Sequence, residues 1–159
     1  MTKQLSSMQW DLAQPFTTRF RVGAEAIDHY KHVNNAEYLR YIEEVSWQHS
    51  NQLGLTMNDY ERLDRALVVI RHEIDYTAPA FENDELEIAT WIVQYDQRFR
   101  VARYFQLIRV SDQKTLMRCT TRFACVALTS GKLRRLPAEF NAAYLPAVIQ
   151  GNPFKDANR

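Results

Sequence analysis

The 159-residue chain holds only two cysteines, four glycines and five prolines. Cys119 and Cys125 are six positions apart in what reads as one strand, so at about 3.3 Å per residue they stand roughly 20 Å apart, beyond disulfide reach. They are expected to be reduced core residues, and the pair also lacks zinc-ligand spacing. The scattered glycines and prolines form no linker, and no repeat or low-complexity stretch is present, so one globular domain is expected. The longest purely apolar run, Ala66 to Ile70, is far short of the roughly 20 residues of a membrane span. The N-terminal run from Met1 to Ser7 lacks a signal peptide's apolar segment. No membrane span and a cytoplasmic location are therefore expected. Charge of one sign is missing too: 20 basic against 19 acidic side chains leave a net charge of +1. That excludes nucleic-acid binding through a strong positive field, and an anionic partner has to be gripped locally. The absence of Gly-x-Ser-x-Gly, of a Gly-rich phosphate loop and of His-Glu-x-x-His argues against a serine hydrolase, a P-loop enzyme and a zincin.

What is present suffices for a core: 46% of residues are apolar and 12% aromatic. Residues 1–15 read as an arm, 16–148 as the domain and 149–159 as a frayed tail. The pattern predicts a strand from Phe16 to Ile27 and a loop from Asp28 to Val33. A helix follows from the cap Asn34 to near Gly54, with Tyr38, Tyr41, Ile42 and Val45 as its apolar stripe. Strands follow over Ala66 to Thr77, Glu85 to Gln94, Arg100 to Val110 and Thr115 to Leu128, then a short helix over Leu136 to Tyr144. In the last strand Met117, Cys119, Thr121, Phe123 and Cys125 alternate with Arg118, Thr120 and Arg122, as in an antiparallel sheet with one buried face. The result is an α+β domain with its helix on one sheet face. The other face is expected to carry Ala89, Trp91, Val93, Tyr104 and Phe105, enough apolar area to predict self-association.

The segment from Ile27 to Glu44 concentrates the chemistry. Asn34 is placed as an N-cap that forms an Asn version of the capping box with Glu37. If Asn34 accepts from Ala36 or Glu37, the Asn35 N–H at the first helical position stays free, at the positive end of the helix dipole. Asp28 lies a few residues ahead of it. A carboxylate beside such an N–H can attack or activate water while the N–H holds an oxyanion, which is the chemistry of ester and thioester cleavage. Asp28 is equally read as an ordinary turn residue. His29 and His32 have no third ligand at helical spacing, so no metal is expected, and His32 is expected to hydrogen-bond within its loop. Glu43 is the better functional candidate of the pair Glu43 and Glu44, although acidic residues on a helix mostly form a solvated face. Arg98, Arg100 and Arg103, with Lys132, Arg134 and Arg135, are read as loop-borne cations that either hold phosphates or are simply solvated. His49 and His72 are read as structural.

The run from Ile27 to Glu44 resembles the signature of hot-dog-fold thioesterases of the 4-hydroxybenzoyl-CoA thioesterase type, Asp-x-x-Gly-His-Val-Asn-Asn-x-x-Tyr-x-x-x-x-Glu. Ile74 to Ala80 resembles that family's strand ending in Tyr-x-x-Pro-Ala, and Asn83-Asp84 its Gly-Asp turn; the likeness spans about residues 17–145. It implies a hot-dog fold, a five-stranded antiparallel sheet wrapped around one long central helix. It further implies an acyl-CoA thioesterase that forms homodimers or homotetramers with sites between subunits, and that uses no cofactor because CoA is part of the substrate. Asp28 carries over as the catalytic base or nucleophile, Asn35 as the N–H that polarises the carbonyl, and Glu43 as the family's glutamate. His32, Asn34 and Tyr38 become substrate-binding positions, and Arg98, Arg100 and Arg134 match the phosphate-binding loops. Lys31 stands at the usual glycine position, so the loop is strained if that position needs a positive φ. This departure resembles the FadM-type branch, which acts on long-chain acyl groups; aromatic acyl groups also fit. Two other readings stay open: a non-catalytic protein that holds acyl-CoA or an acyl carrier, and a hot-dog dehydratase using His32.

Overall fold

The structure, a computed structural model, describes residues 8–149. The arm expected over 1–15 is therefore described from Met8 onward, and of the tail expected over 149–159 only Ile149 is among the described residues.

Five strands, β1 (Phe16–Arg21), β2 (Ala66–Tyr76), β3 (Glu85–Tyr95), β4 (Arg100–Arg109) and β5 (Lys114–Val126), form one antiparallel sheet in the order β1-β3-β4-β5-β2. The 18-residue helix α1 (Asn35–Gln52) lies across one face. Its Tyr38, Ile42, Val45 and His49 are buried at helical spacing, so one stripe meets the sheet while Glu43, Glu44 and Gln48 stay exposed. Two short helices, α2 (Met57–Arg62) and α3 (Ala138–Tyr144), close the C-terminal side of α1.

Two expected elements differ. The first strand ends at Arg21 rather than Ile27, because Ala24–Ala26 turn into a 3-10 helix. Helix α2 was not expected. The Asp59 carboxylate accepts from both the N–H and the hydroxyl of Thr56 at 2.8 and 3.0 Å. That Thr-x-x-Asp pattern was its one sequence signal, and six residues are too few for a periodic stripe.

The helix-side face of the sheet holds two apolar clusters. One gathers Ile42, Val45, Leu86, Ile88, Phe105 and Leu107 under the first part of α1. The other gathers Leu55, Tyr60, Ile92, Val101, Phe140 and Tyr144 under its end. A belt of buried polar side chains, His49, Ser50, Thr90, Arg103 and Thr121, lies between them. Phe105 belongs to the first cluster, not to the outer face where it was expected, because strand alternation puts it with Val101, Arg103 and Leu107.

The outer face does carry Ala89, Trp91, Val93 and Tyr104, but the chain's own arm packs on it. Trp10 meets Trp91 edge-on at 6.2 Å, and Leu12 joins the same cluster. Trp91 Nε1 donates to Ala13 O at 2.8 Å, and Arg118 Nε donates to the Asp11 carboxylate at 2.8 Å. Burial raises the Asp11 pKa, but hydrogen bonds from Arg118 and Tyr104 outweigh it and leave the carboxyl below its ordinary value. The apolar area on this face therefore does not argue for a partner. A run of exposed apolar residues lies instead on the edge strand β2, where Val68, Val69, Ile70 and Tyr76 are 40–48% accessible.

Candidate active site

The loop ahead of α1 is closed at its base by an antiparallel bridge between Ile27 and Val33. Asp28 N donates to His32 O at 3.1 Å and Lys31 N returns to Asp28 O at 3.0 Å, which makes a tight turn. Lys31 sits at φ 68°, in the left-handed region, so this position, where the resembled signature has glycine, does adopt positive φ here. A non-glycine residue in that region is strained by roughly 1–2 kcal/mol.

Asp28 is half-buried, and one carboxylate oxygen accepts from Tyr30 N at 2.8 Å. This is the Asx-turn of an ordinary turn aspartate. The other oxygen has no hydrogen-bond partner among the described residues, so the group is anchored by one oxygen and open at the other. His32 is half-buried, with Nδ1 3.4 Å from Val33 O, consistent with a role inside the loop. Among the described residues no group of three or more His, Cys, Asp or Glu side chains is placed to hold a metal.

At the helix start, the Asn34 side chain accepts from Ala36 N at 2.9 Å. The reciprocal half of the expected capping box is absent. Asn34 N donates instead to Ala26 O at 2.9 Å, and Glu37 turns to Arg40 at 3.7 Å. A carbonyl already satisfies the cap N–H, so the Glu37 carboxylate has no donor to return to. With Ala36 capped, the Asn35 N–H has no partner among the described residues and Asn35 is exposed. Tyr76 anchors the same turn by donating its hydroxyl to Asn35 O at 3.2 Å.

The other expected positions scatter. Tyr38 is 2% exposed and packs edge-on to Tyr76 at 5.1 Å, which makes it a core ring beneath the loop. Glu43 is exposed on α1, two turns beyond Asn35. Arg98 and Arg100 lie at the β3–β4 turn and Arg134 after β5, all exposed. Tyr76 and Asn35 are at the other end of the strands. Within one chain these arginines therefore stand a strand's length, about 30 Å, from the helix tip.

Arg103 was grouped with the loop cations, and the structure corrects this: it is in β4, 4% exposed, on the helix side. It donates to His49 Nδ1 at 2.9 Å and to Ser50 Oγ at 3.2 Å, with Thr90 Oγ1 at 3.4 Å, and the Tyr144 hydroxyl is a further hydrogen-bond partner. No carboxylate pairs with it among the described residues. Burial, and then the Arg103 charge, push the His49 imidazole down to about 3, so it is neutral and accepts at Nδ1. The signal was available in the alternation of β4, which places position 103 on the same face as Val101 and Phe105. Beside this belt a cavity of about 560 Å³ runs between α1, β2 and α2. Its walls include Leu39, Glu43, Trp47, Val69, His72 and Arg103 but not Asp28 or Asn35.

One long helix laid on a five-stranded antiparallel sheet, with a carboxylate loop at the helix tip, makes this a hot-dog domain. Residues 22–144 match the Thioesterase-like superfamily, and the chain belongs to that family. It is 29% identical over 126 residues to the long-chain acyl-CoA thioesterase FadM of Escherichia coli, covering 77% of this chain and 91% of the relative. Among solved structures it is similar to a 1,4-dihydroxy-2-naphthoyl-CoA thioesterase from Synechocystis. That likeness has a TM-score of 0.75 at 23% identity and covers 83% of this chain and 96% of the other. It is also similar to a Staphylococcus aureus protein solved in complex with CoA, at TM-score 0.76 and 20% identity, covering 88% of this chain and 89% of that one. These two structures support the fold. Among the described residues no helix is long and apolar enough to cross a membrane.

Proposed function

We propose that the chain is an acyl-CoA thioesterase that hydrolyses the thioester to a free acid and CoA at the tip of α1. The observation that carries this reading is the unpartnered Asn35 N–H at the helix start, with the open carboxylate oxygen of Asp28 on the loop that leads into it. In this reading the carbonyl oxygen rests on the Asn35 N–H. Asp28 takes a proton from a water that attacks the carbonyl carbon, or attacks that carbon itself to give a mixed anhydride that a water then hydrolyses, releasing the acid and restoring the carboxylate. The carbon–sulfur bond breaks, the CoA sulfur leaves as thiolate and is protonated from water, and the acyl carbon keeps the new oxygen. One donor of this kind contributes roughly 3–4 kcal/mol to a transition state. The thioester is already activated, so little else is required. The reaction as written takes CoA in as part of the substrate and uses no other cofactor. The relatives named for acyl-CoA thioester cleavage support the same class of substrate.

A dimer completes the site in this reading. β2 is an edge strand with exposed apolar side chains, and such an edge tends to pair with another strand. Antiparallel pairing of two β2 strands sets the Ala66 end of one chain beside the Tyr76 end of the other. That brings the partner copy's loop after β5, with its counterpart of Arg134, toward this chain's helix tip, where it could reach CoA phosphates; Arg98 and Arg100, two strands further in, lie farther away. Buried, unpaired Cys119 and Cys125 fit a reducing compartment, and we place the enzyme in the cytoplasm.

Release of free thiol from a panel of acyl-CoA esters, short to long and aromatic, tests the activity and defines the acyl group. Tight acyl-CoA binding without thiol release across that panel would favour the binding-protein reading instead, which the Tyr30 hydrogen bond to Asp28 also accommodates.

A further inference from the structure

The Arg103 belt has no part in the chemistry proposed at the helix tip. From the start of α1 to Ser50 is about 22 Å along the helix axis. A guanidinium stays cationic in proteins, and Arg103 is 4% exposed. Its hydrogen-bond partners are the hydroxyls of Ser50, Thr90 and Tyr144 and a histidine nitrogen, all neutral. A buried charge with no counter-ion is expensive to keep, and hydrophobic packing on either side of the belt does nothing to offset it. Yet this cation forms part of the wall of a cavity whose other walls include Leu39, Trp47, Leu67 and Phe123. A volume of about 560 Å³ falls within the roughly 300–1,000 Å³ of small-molecule sites. Mostly apolar walls with a few placed polar groups are the usual make-up of such a site.

We propose that this cavity binds a carboxylate carried on an aliphatic body, with the carboxylate received by Arg103 and the body by the apolar wall. His72 and Thr121, hydrogen-bonded to each other at 2.8 Å, stand on the same wall and offer further polar contacts. Glu43 and Glu61 also border the cavity, but both are exposed and solvent screens them, whereas Arg103 is not screened. Two sources present this chemistry: a free fatty acid, and the far carboxyl group of a dicarboxylic acyl-CoA. The second rests on the thioesterase reading, whereas the first does not.

Calorimetric titration of the full chain with decanoate and with decan-1-ol separates carboxylate recognition from apolar burial. A hydrogen-bonded charge pair predicts that decanoate binds about 10- to 100-fold tighter than the alcohol. Arg103→Gln is expected to erase that difference. Ser46→Trp fills the cavity and leaves the belt untouched, so it is expected to abolish both. KM for hexadecanedioyl-CoA against hexadecanoyl-CoA, a chain long enough to reach from the helix tip to Arg103, then identifies the source. A tenfold lower KM for the diacid assigns the far carboxyl group, and decanoate binding with no such preference assigns the free acid. If decanoate binds no better than decanol and hexadecanedioyl-CoA is not preferred, the proposal fails; it fails also if Ser46→Trp binds decanoate undiminished. Decanoate binding by a protein that releases no thiol from any acyl-CoA would count against the thioesterase reading alone.

Discussion

The two ends of α1 handle polar groups in opposite ways. At the N-terminal end, Asn34, Asn35 and the Asp28 loop are solvent-accessible, the side-chain hydrogen bonds of Asp28 and Asn34 are local, and one N–H is left open. At the C-terminal end, His49 and Ser50 are buried against a cation brought from β4, 54 and 53 positions away in sequence. A group at the first end can change without disturbing the core. At the second, any change leaves a buried donor or acceptor unpaired, with a penalty of roughly 1–3 kcal/mol. Chemistry and stability are thus separable at the helix tip and coupled in the belt.

The sharpest way to break this comparison is Asp28→Asn. The exchange keeps the Tyr30 hydrogen-bond acceptor and removes the base, so thiol release from acyl-CoA should fall by about 10²–10⁴-fold while the thermal midpoint stays where it was. Near wild-type turnover would remove Asp28 from the mechanism.

The belt should respond to acid where the tip does not. The unfolded His49 imidazole titrates near 6.5 and the folded one near 3, so the unfolded state binds the proton first as pH falls. The stability contributed by neutral His49 is complete above 6.5 and is lost toward 3 at up to about 1.4 kcal/mol per pH unit. Urea unfolding at pH 7 and pH 5 should therefore differ by about 2 kcal/mol from this residue, and His49→Gln should remove that part of the difference. An unchanged pH slope in the variant would show that the imidazole is not held neutral.

Smaller effects sharpen the description of the tip. Asn34→Ala removes the cap on Ala36 N and should destabilise by about 1 kcal/mol in denaturant unfolding. Because the freed Ala36 N–H then competes for the carbonyl oxygen, KM or kcat should shift as well. Lys31→Gly relieves the left-handed strain, partly offset by glycine's greater unfolded-state freedom, and should stabilise by roughly 0.5–1 kcal/mol. A loss of stability would mean that Lys31 makes a compensating contact.

The parts of the fold that were legible share one property: their signals are local. The cap at Asn34, the stripe from Tyr38 to Val45 and the alternation from Met117 to Cys125 each repeat within a few residues, and all appear as read. Strand β1 ends earlier than its pattern implies, because Val22, Ala24 and Ala26 keep up a strand-like alternation through a 3-10 turn. Glu37 was assigned to a capping box because its spacing permits one. The carbonyl that displaces it, Ala26 O, comes from the preceding 3-10 turn, outside the capping-box pattern.

By itself the sequence determined a single α+β domain, the helix with its cap, and a carboxylate placed ahead of an open N–H. Those features depend on backbone geometry and on neighbours a few positions away. Only the tertiary structure decided that Trp10 and Leu12 cover the outer sheet face, that a run of apolar side chains is exposed on β2, and that Arg103 lies buried beside His49 without a counter-ion among the described residues. Each of these joins groups from distant parts of the chain, and which distant surfaces meet is set by how sheet, helix and arm pack together.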